Sequence, residues 1–384
     1  MMDDISNQSL ELHRQHGGKL EVRSKVPLSN RHDLSLAYTP GVAKVCEEIF
    51  KDKSLAKIFT IKKNTVAVIT DGSSVLGLGN LGAMAALPVM EGKCALFKEF
   101  AGVDAFPICL DTQDTETIIS VIKNITPVFG GINLEDISAP RCFEIEARLK
   151  KELDIPVMHD DQHGTATVVL AGLINAIKLK NLSKEQAKIV INGAGAAGTA
   201  IAKILTVYGF KNIVVCDSRG AIYKNREGIS KEKKELAELT NQPENNGPQT
   251  GTLADCLVQA DIFIGVSVRD ILTLEMIRSM NTEPIIFALA NPYPEIDPKL
   301  AKQSGAFIIA TGRSDMPNQI NNVLAFPGIF RGALDNNVSQ ITTAMLTKAA
   351  LNLAAYVKNP SREQILPDPL DKEVVRAVAS AIKN

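Results

Sequence analysis

Residues 187–217 read AKIVINGAGAAGTAIAKILTVYGFKNIVVCD. AKIVING has the continuous apolar character of a buried strand, TAIAKILTVYG carries apolar residues at helical spacing, and NIVVCD is a second buried strand. Between the first strand and the helix lies GAGAAG, residues 193–198. Gly193 permits a tight turn, Gly195 lets the backbone approach a pyrophosphate at the helix N-terminus, and Gly198 allows the helix to pack close to the strand; Ala196 and Ala197 complete the turn. A lone G-x-G-x-x-G says little. This one ends a strand, opens a helix and precedes Asp217 by 19 residues from its last glycine, where a carboxylate can hydrogen-bond an adenosine ribose. Ser218 and Arg219 follow, and an arginine there accommodates a 2′-phosphate, so NAD and NADP both stay open as cofactors.

The rhythm continues downstream. A helix in KEKKELAELT, a polar loop NQPENNGPQTG and a short helix TLADCLVQA lead to strands in IFIGVS, PIIFALA and AFIIATG. Strands alternating with helices predict an α/β fold with a doubly wound parallel sheet of the Rossmann type and right-handed crossovers. The first half reads as mixed α/β: a helix-rich opening, the strand NTVAVITDG, the glycine-rich turn VLGLGNLGA, strands in CALFK and AFPICLD, and a helix in TETIISVIKNI. After the dinucleotide unit, SQITTAMLTKAALNLAAYVKN and the S-x-x-Q capping pattern at Ser361 to Gln364 predict C-terminal helices that pack back on the body. A boundary near residue 160 separates a substrate and metal domain, 1–160, from the dinucleotide domain with its C-terminal helices, 161–384. A cleft is expected between them.

Composition sets limits on partners. The 384 residues carry 42 Lys+Arg against 43 Asp+Glu and are 45% hydrophobic, which argues against a nucleic-acid-binding surface or a polybasic membrane anchor. The N-terminal MMDDISNQSLELHRQHGG is polar, unlike an export signal, and no apolar run approaches the roughly 20 residues of a membrane helix. A cytoplasmic protein is expected. Six cysteines without a C-x-x-C pair suggest neither a zinc cage nor a redox dithiol, and most are expected to be buried thiols.

Two pairs of adjacent acids stand at the ends of probable strands: Glu135 and Asp136 after PVFGGINL, and Asp160 and Asp161 in IPVMHDDQHGT. Paired carboxylates repel one another and lose hydration at such a place, and a hard divalent cation with oxygen ligands relieves both problems. Such a site favours Mg2+ or Mn2+ over zinc. Two further side chains invite a chemical role. Tyr38 precedes a Pro-Gly turn in LAYTPGVAKV, where a phenol can face a cleft. Lys93, in PVMEGKCALFK, opens an apolar segment whose burial is expected to lower its pKa towards that of a base. Lys98 reads as an ordinary cation.

The motifs YTPGVA, TDGSSVLGLGNLG, PVMEGK, NLEDISAPRCFEIE, HDDQHGTA, GAGAAG, ALANPYPEI and NNVLAFPG stand in this order over nearly the whole chain. In that order the sequence resembles the malic enzymes, specifically their small prokaryotic-type form. The resemblance implies oxidative decarboxylation of (S)-malate to pyruvate and CO2 with NAD or NADP and Mg2+ or Mn2+, in a homodimer. By the same resemblance Glu135, Asp136 and Asp161 match the metal ligands and Asp160 a carboxylate behind them. Lys93 matches the general base and Tyr38 the general acid; Asn291, Asn321 and Asn322 match positions that hold substrate or nicotinamide. The larger eukaryotic-type enzymes carry an arginine two residues after the glycine of TDG, where this chain has Ser74. The substrate carboxylate must therefore find other donors, for which Ser73, Ser74 and nearby backbone amides are the candidates. Val268, Arg269 and Asp270 also replace the small turn expected after GVS. An amino-acid dehydrogenase of the glutamate type would also join a lysine-bearing domain to a dinucleotide domain, but it needs no metal ligands. A non-catalytic nucleotide sensor would have no use for Tyr38, Lys93 and the acids together.

Overall fold

The computed structural model describes residues 2–241 and 249–383; most of the predicted loop NQPENNGPQTG, residues 242–248, lies outside the described residues. Two parallel sheets follow one another along the chain. The first contains β1 (Thr65–Thr70), β2 (Asp104–Cys109), β3 (Gly131–Leu134) and β4 (Val157–His159) in the order β2-β1-β3-β4. Ile69 lies beside Leu134, and Leu134 beside His159, so β1, β3 and β4 release the chain at one edge. Asp71, the Glu135–Asp136 pair and the Asp160–Asp161 pair therefore emerge side by side, at the carboxyl ends of parallel strands where such folds bind ligands.

The second sheet contains β5 (Lys188–Asn192), β6 (Asn212–Asp217), β7 (Gly220–Ala221), β8 (Ile262–Gly265), β9 (Ile285–Ala288) and β10 (Ile308–Thr311), ordered β10-β9-β8-β5-β6-β7. All pairs are parallel except β7, which turns back on β6. Its strands read as unbroken apolar runs because both faces are covered. Ile189 and Ile191 point into one core, while Val190 and Val214 point into the other. The first core also contains Val66, Val68, Met90 and Phe97 of the N-terminal half, so the two sheets share one apolar interior. Running through it is the helix Asp160–Lys180, whose apolar residues are buried nearly all round. The C-terminal helix Thr343–Tyr356 packs on it, as expected for a chain end that folds back.

Two local expectations differ from the fold. CALFK is not a strand but part of the 19-residue helix Ala83–Ala101, in which Ala86, Met90, Lys93, Cys94 and Phe97 recur at three- and four-residue spacing on the buried face. A Cβ at Gly92 would meet nothing within 4 Å, and Pro88 stands five residues after the helix start, so the rest of the helix continues past both. Ser361 to Gln364 starts no helix. The two residues bridge each other, Ser361 N–H donating to the Gln364 carbonyl and Gln364 N–H to that of Ser361, and Pro367 and Pro369 prevent a helix from growing; the next one is Val374–Ala379.

Residues 4–64 form a different kind of region. They include the helices Arg31–Ala37 and Val42–Lys51, and none of them is buried. Large apolar side chains, among them Leu36, Phe50, Ile58 and Phe59, face outward. Of the cysteines, Cys94, Cys142, Cys216 and Cys256 are buried and all six are free thiols. No helix among the described residues is long and apolar enough to cross a membrane.

Candidate active site

Glu135 and Asp136 end β3, and Asp160 and Asp161 open the long helix that follows β4. Asp136 adopts a left-handed backbone with φ 53°, which turns the chain sharply enough to bring its carboxylate back over the sheet edge. One carboxylate oxygen from each of Glu135, Asp136 and Asp161 can be chosen so that all three lie within 4.8 Å of one another. Asp136 N–H donates to Asp161 Oδ2 at 2.9 Å, which fixes the two pairs relative to each other. The first turn of a helix is a favourable place for Asp160 and Asp161. Gly164, one turn on, is required there: a Cβ would fall 1.8 Å from Asp160 Oδ1.

Lys93 enters this cluster from the helix Ala83–Ala101. Its Nζ lies 2.6 Å from Asp160 Oδ2 and 2.9 Å from Glu135 Oε1, and it sits 4.3 Å above the ring of Phe326. The expectation of a lowered pKa is corrected here. Burial does press the ammonium towards neutrality, but the charges of Asp160, Glu135 and Asp161 outweigh it and hold the proton on Lys93. The acids are displaced in the same direction. Burial first, then the neighbouring Asp161 and Glu135 charges, push Asp136 up to about 9, and burial raises Glu135, Asp160 and Asp161 as well. Four carboxylates against one ammonium give the ionised cluster a charge of −3. Asp136 Oδ2 is buried without a hydrogen-bond partner, an expensive arrangement that a divalent cation held by Glu135, Asp136 and Asp161 would relieve; Asp160 Oδ1, outside that trio, also lacks a partner. An all-oxygen donor set suits Mg2+ or Mn2+. Glu146, a buried acid that the sequence did not single out, holds this segment from behind. It accepts from His159 N–H at 2.9 Å and lies 2.9 Å from His163 Nε2 and 2.8 Å from Lys150 Nζ. Burial opposes its ionisation, yet His163 and Lys150 keep its pKa far below the usual carboxylate range.

The remaining predicted residues are distributed unevenly around this centre. Asn322 Oδ1 accepts from Lys93 Nζ at 3.4 Å, and Asn321 caps its own short turn through Val323 N–H. Asn291 follows β9; its carbonyl would lie 1.8 Å from a Cβ at Gly77, so the glycine-rich turn of the first half fits against it. Ser74 is exposed, and its N–H donates to the Asp136 carbonyl. The Ser73 hydroxyl is already engaged, donating to Asp71 Oδ1 at 2.5 Å and accepting from Ser138 N–H at 2.9 Å. Tyr38 is 69% exposed on the N-terminal arm, and its hydroxyl makes no hydrogen bond within the described chain. Asp270 takes φ 56° in the loop after β8, and Arg269 stacks over Tyr293, which is how that loop accommodates three larger residues.

The dinucleotide half has an open cavity of about 780 Å³ where β5 and β8 diverge. Gly198 must lack a side chain because a Cβ would lie 1.7 Å from the Gly193 carbonyl oxygen, and at Gly193, where φ is 121°, a Cβ would lie 2.6 Å from the Val266 carbonyl oxygen. A Cβ at Gly195 would meet nothing within 4 Å, so its backbone is free to face a ligand, with Ala196 and Ala197 beginning the helix Ala196–Tyr208. Asp217 lines the cavity but is fully paired. Oδ1 accepts from Arg226 at 2.6 Å and Oδ2 from Lys233 at 2.6 Å; burial raises its pKa, and these partners bring it down to about 2. Arg226 is buried and also donates to the carbonyls of Gly220 and Ala221, whereas Arg219 is exposed. Lys233 was not legible in the sequence, because a helix begins between it and the acid.

A doubly wound sheet with an open cavity at its switch point, bordered by Ala139 and Pro140 a few residues beyond a buried acid cluster, is the architecture of a dinucleotide-dependent dehydrogenase, and the acids Glu135, Asp136 and Asp161 are close enough together to hold a divalent cation. The chain belongs to the malic enzyme family: residues 17–150 match the malic enzyme N-terminal domain and residues 162–384 the malic enzyme NAD binding domain. It is 55% identical to the bifunctional malic/malolactic enzyme of Bacillus subtilis over 98% of this chain and 92% of that one. It is 54% identical to an NAD-dependent malic enzyme of Geobacillus stearothermophilus over 99% of this chain and 78% of the relative. The crystal structure of an NAD-dependent malic enzyme from Thermotoga maritima superimposes with a TM-score of 0.93 at 50% identity, covering 98% of each chain.

Proposed function

We propose that the protein converts (S)-malate to pyruvate and CO2 with reduction of NAD+ or NADP+, using Glu135, Asp136 and Asp161 to hold Mg2+ or Mn2+. The observation that carries this reading is the clustering of three acids beside a buried lysine, with Ala139 and Pro140, a few residues after Glu135 and Asp136, lining the dinucleotide cavity. When bound, the cation supplies a Lewis acid at the C2 oxygen and a sink for the charge left on decarboxylation, and the dinucleotide supplies the hydride acceptor. A cation held by Glu135, Asp136 and Asp161 would offset the negative charge that keeps Lys93 protonated, and the neutral Nζ then takes the C2 hydroxyl proton as the C2 hydride departs. Asp160, 2.6 Å from Nζ, shares that proton and sets the orientation of the ammonium. Asn322 reaches Lys93 and, with Asn291 and Asn321, orients the substrate and nicotinamide. After CO2 has left, Tyr38 delivers a proton to C3. Asp217 receives the ribose, with Arg219 beside it.

We further propose a cytoplasmic homodimer whose contact includes the amino-terminal arm. The outward-facing Leu36, Phe50, Ile58 and Phe59 support that contact, as does the exposure of Tyr38, whose role requires a surrounding site. Initial rates on malate with each cofactor, with and without Mn2+, test the reading. Turnover should require the cation and form pyruvate and reduced cofactor in equal amounts; metal-independent oxidation of an amino acid instead would overturn it.

A further inference from the structure

A dicarboxylate substrate needs a cation for the carboxylate it retains, and the TDG turn of this chain offers Ser73 and Ser74 rather than an arginine. Ser73 has no free donor, as shown above. The side chain that meets this turn comes from another element. Arg141, the first residue of the helix Arg141–Glu152, donates from Nη2 to Asp71 Oδ2 at 2.9 Å. The other oxygen of Asp71 accepts from both the N–H and the hydroxyl of Ser73, and Ser74 N–H donates to the carbonyl of Asp136. An unbroken set of contacts thus leads from the acid pair through the turn to the guanidinium. On the far side, Ala139 and Pro140, directly before Arg141, border the dinucleotide cavity.

The guanidinium is not used up by Asp71. Its Nε is buried without a partner, and Nη1 makes no hydrogen bond among the described residues, although the side chain keeps 29% of its exposure. A buried N–H left unpaired is costly and calls for an acceptor. We infer that Arg141 is a substrate-binding residue that holds the C1 carboxylate of malate, steered into place by Asp71. The assignment to C1 follows from the reaction, so the inference rests on the function proposed above. The C4 carboxylate must lose its charge as it departs as CO2, and a guanidinium on it would stabilise the ground state against that loss. C1 keeps its charge from malate to pyruvate, so one cation can hold it throughout, while the neutral Asn291, Asn321 and Asn322 are suited to the departing end.

Calorimetry on the Mn2+-loaded protein without dinucleotide separates the possibilities, because no turnover occurs. Arg141→Gln should weaken malate, pyruvate and oxalate alike by about tenfold to a hundredfold, since all three present a carboxylate next to the chelating oxygen. Mn2+ and NAD+ affinities should stay within about twofold of wild type, the scatter expected when a contact lies outside both sites. Arg141→Lys should recover part of the loss, and Asp71→Asn should give a smaller loss in the same three ligands. Weakened malate with unchanged pyruvate and oxalate would place Arg141 on C4 and overturn the inference. So would unchanged binding of all three, or a fall in Mn2+ affinity matching theirs, which would make Arg141 a support of the acid cluster. If the wild-type protein with Mn2+ bound none of the three, the proposed function itself would fall.

Discussion

The two sheets carry acids in opposite condition at their carboxyl ends. Around Lys93, four carboxyls are crowded into the interior, with raised pKa values and two oxygens lacking any partner. In the dinucleotide cavity, Asp217 has a cation on each oxygen and a pKa of about 2. The first arrangement is incomplete without added positive charge, and the second is complete before any ligand arrives. On the proposed function, the acids that would take a cation are left unrelieved in the folded chain, whereas the acid that would take the ribose is a preset acceptor.

Substitutions that change the charge of the first cluster should have the largest effects. Lys93→Ala is expected to lower kcat for malate oxidation by about a hundredfold to ten-thousandfold, the range for losing a general base. Decarboxylation of added oxaloacetate should survive, because that step depends on the electron sink. Tyr38→Phe should act at the other end of the reaction, slowing enolpyruvate protonation and suppressing the deuterium isotope effect from C2-labelled malate. An undiminished C2 isotope effect, with normal pyruvate formation from oxaloacetate, would remove Tyr38 from the chemistry.

In the second cluster the effects should be selective rather than total. Lys233→Ala leaves Asp217 paired with the buried Arg226 but removes a positive charge from the cavity wall. NADP should lose kcat/KM relative to NAD by about tenfold, as expected for one charge near a phosphate, with kcat on NAD little changed. Equal losses for both cofactors would assign Lys233 to structure alone.

How far the sequence revealed these clusters depended on whether a residue's partners were local. Gly193 and Gly198 were readable because the turn itself forbids a side chain. The acid pairs were readable because they end strands, and their meeting followed from the parallel order β1-β3-β4. Lys93 was found as a residue, but its environment was misjudged: burial is legible from apolar neighbours, while Asp160 lies 67 positions away and reverses the sign. CALFK failed for a related reason, since a five-residue apolar run fits a strand or the buried face of a helix equally well. The partners of Arg226, the Asp217 carboxylate and the carbonyls of the β6–β7 hairpin, depend on a turn that composition does not specify.

A smaller effect is expected at a buried acid outside both clusters. Glu295 accepts from Ser267 N–H at 3.1 Å and Ala290 N–H at 3.0 Å. Burial raises its pKa from 4.5 to about 7 despite these donors. Because the folded value is the higher one, its contribution is full below about pH 4.5 and is lost as pH rises through about 7. Glu295→Gln leaves one backbone N–H poorly paired and should cost about 1–2 kcal/mol at pH 5, with the deficit shrinking by pH 8. Denaturant unfolding at the two pH values checks this. A deficit that grows with pH would contradict the sign.

The contrast between the clusters is tested most directly by titrating Mn2+ into the metal-free wild-type protein and into Asp161→Ala, with heat as the readout. The wild type should bind one ion per chain. The variant, having lost one of three ligands, should bind at least about a hundredfold more weakly while its NAD+ affinity is unchanged. Equal Mn2+ affinity in the two proteins would contradict the assignment of the acid cluster as the metal site.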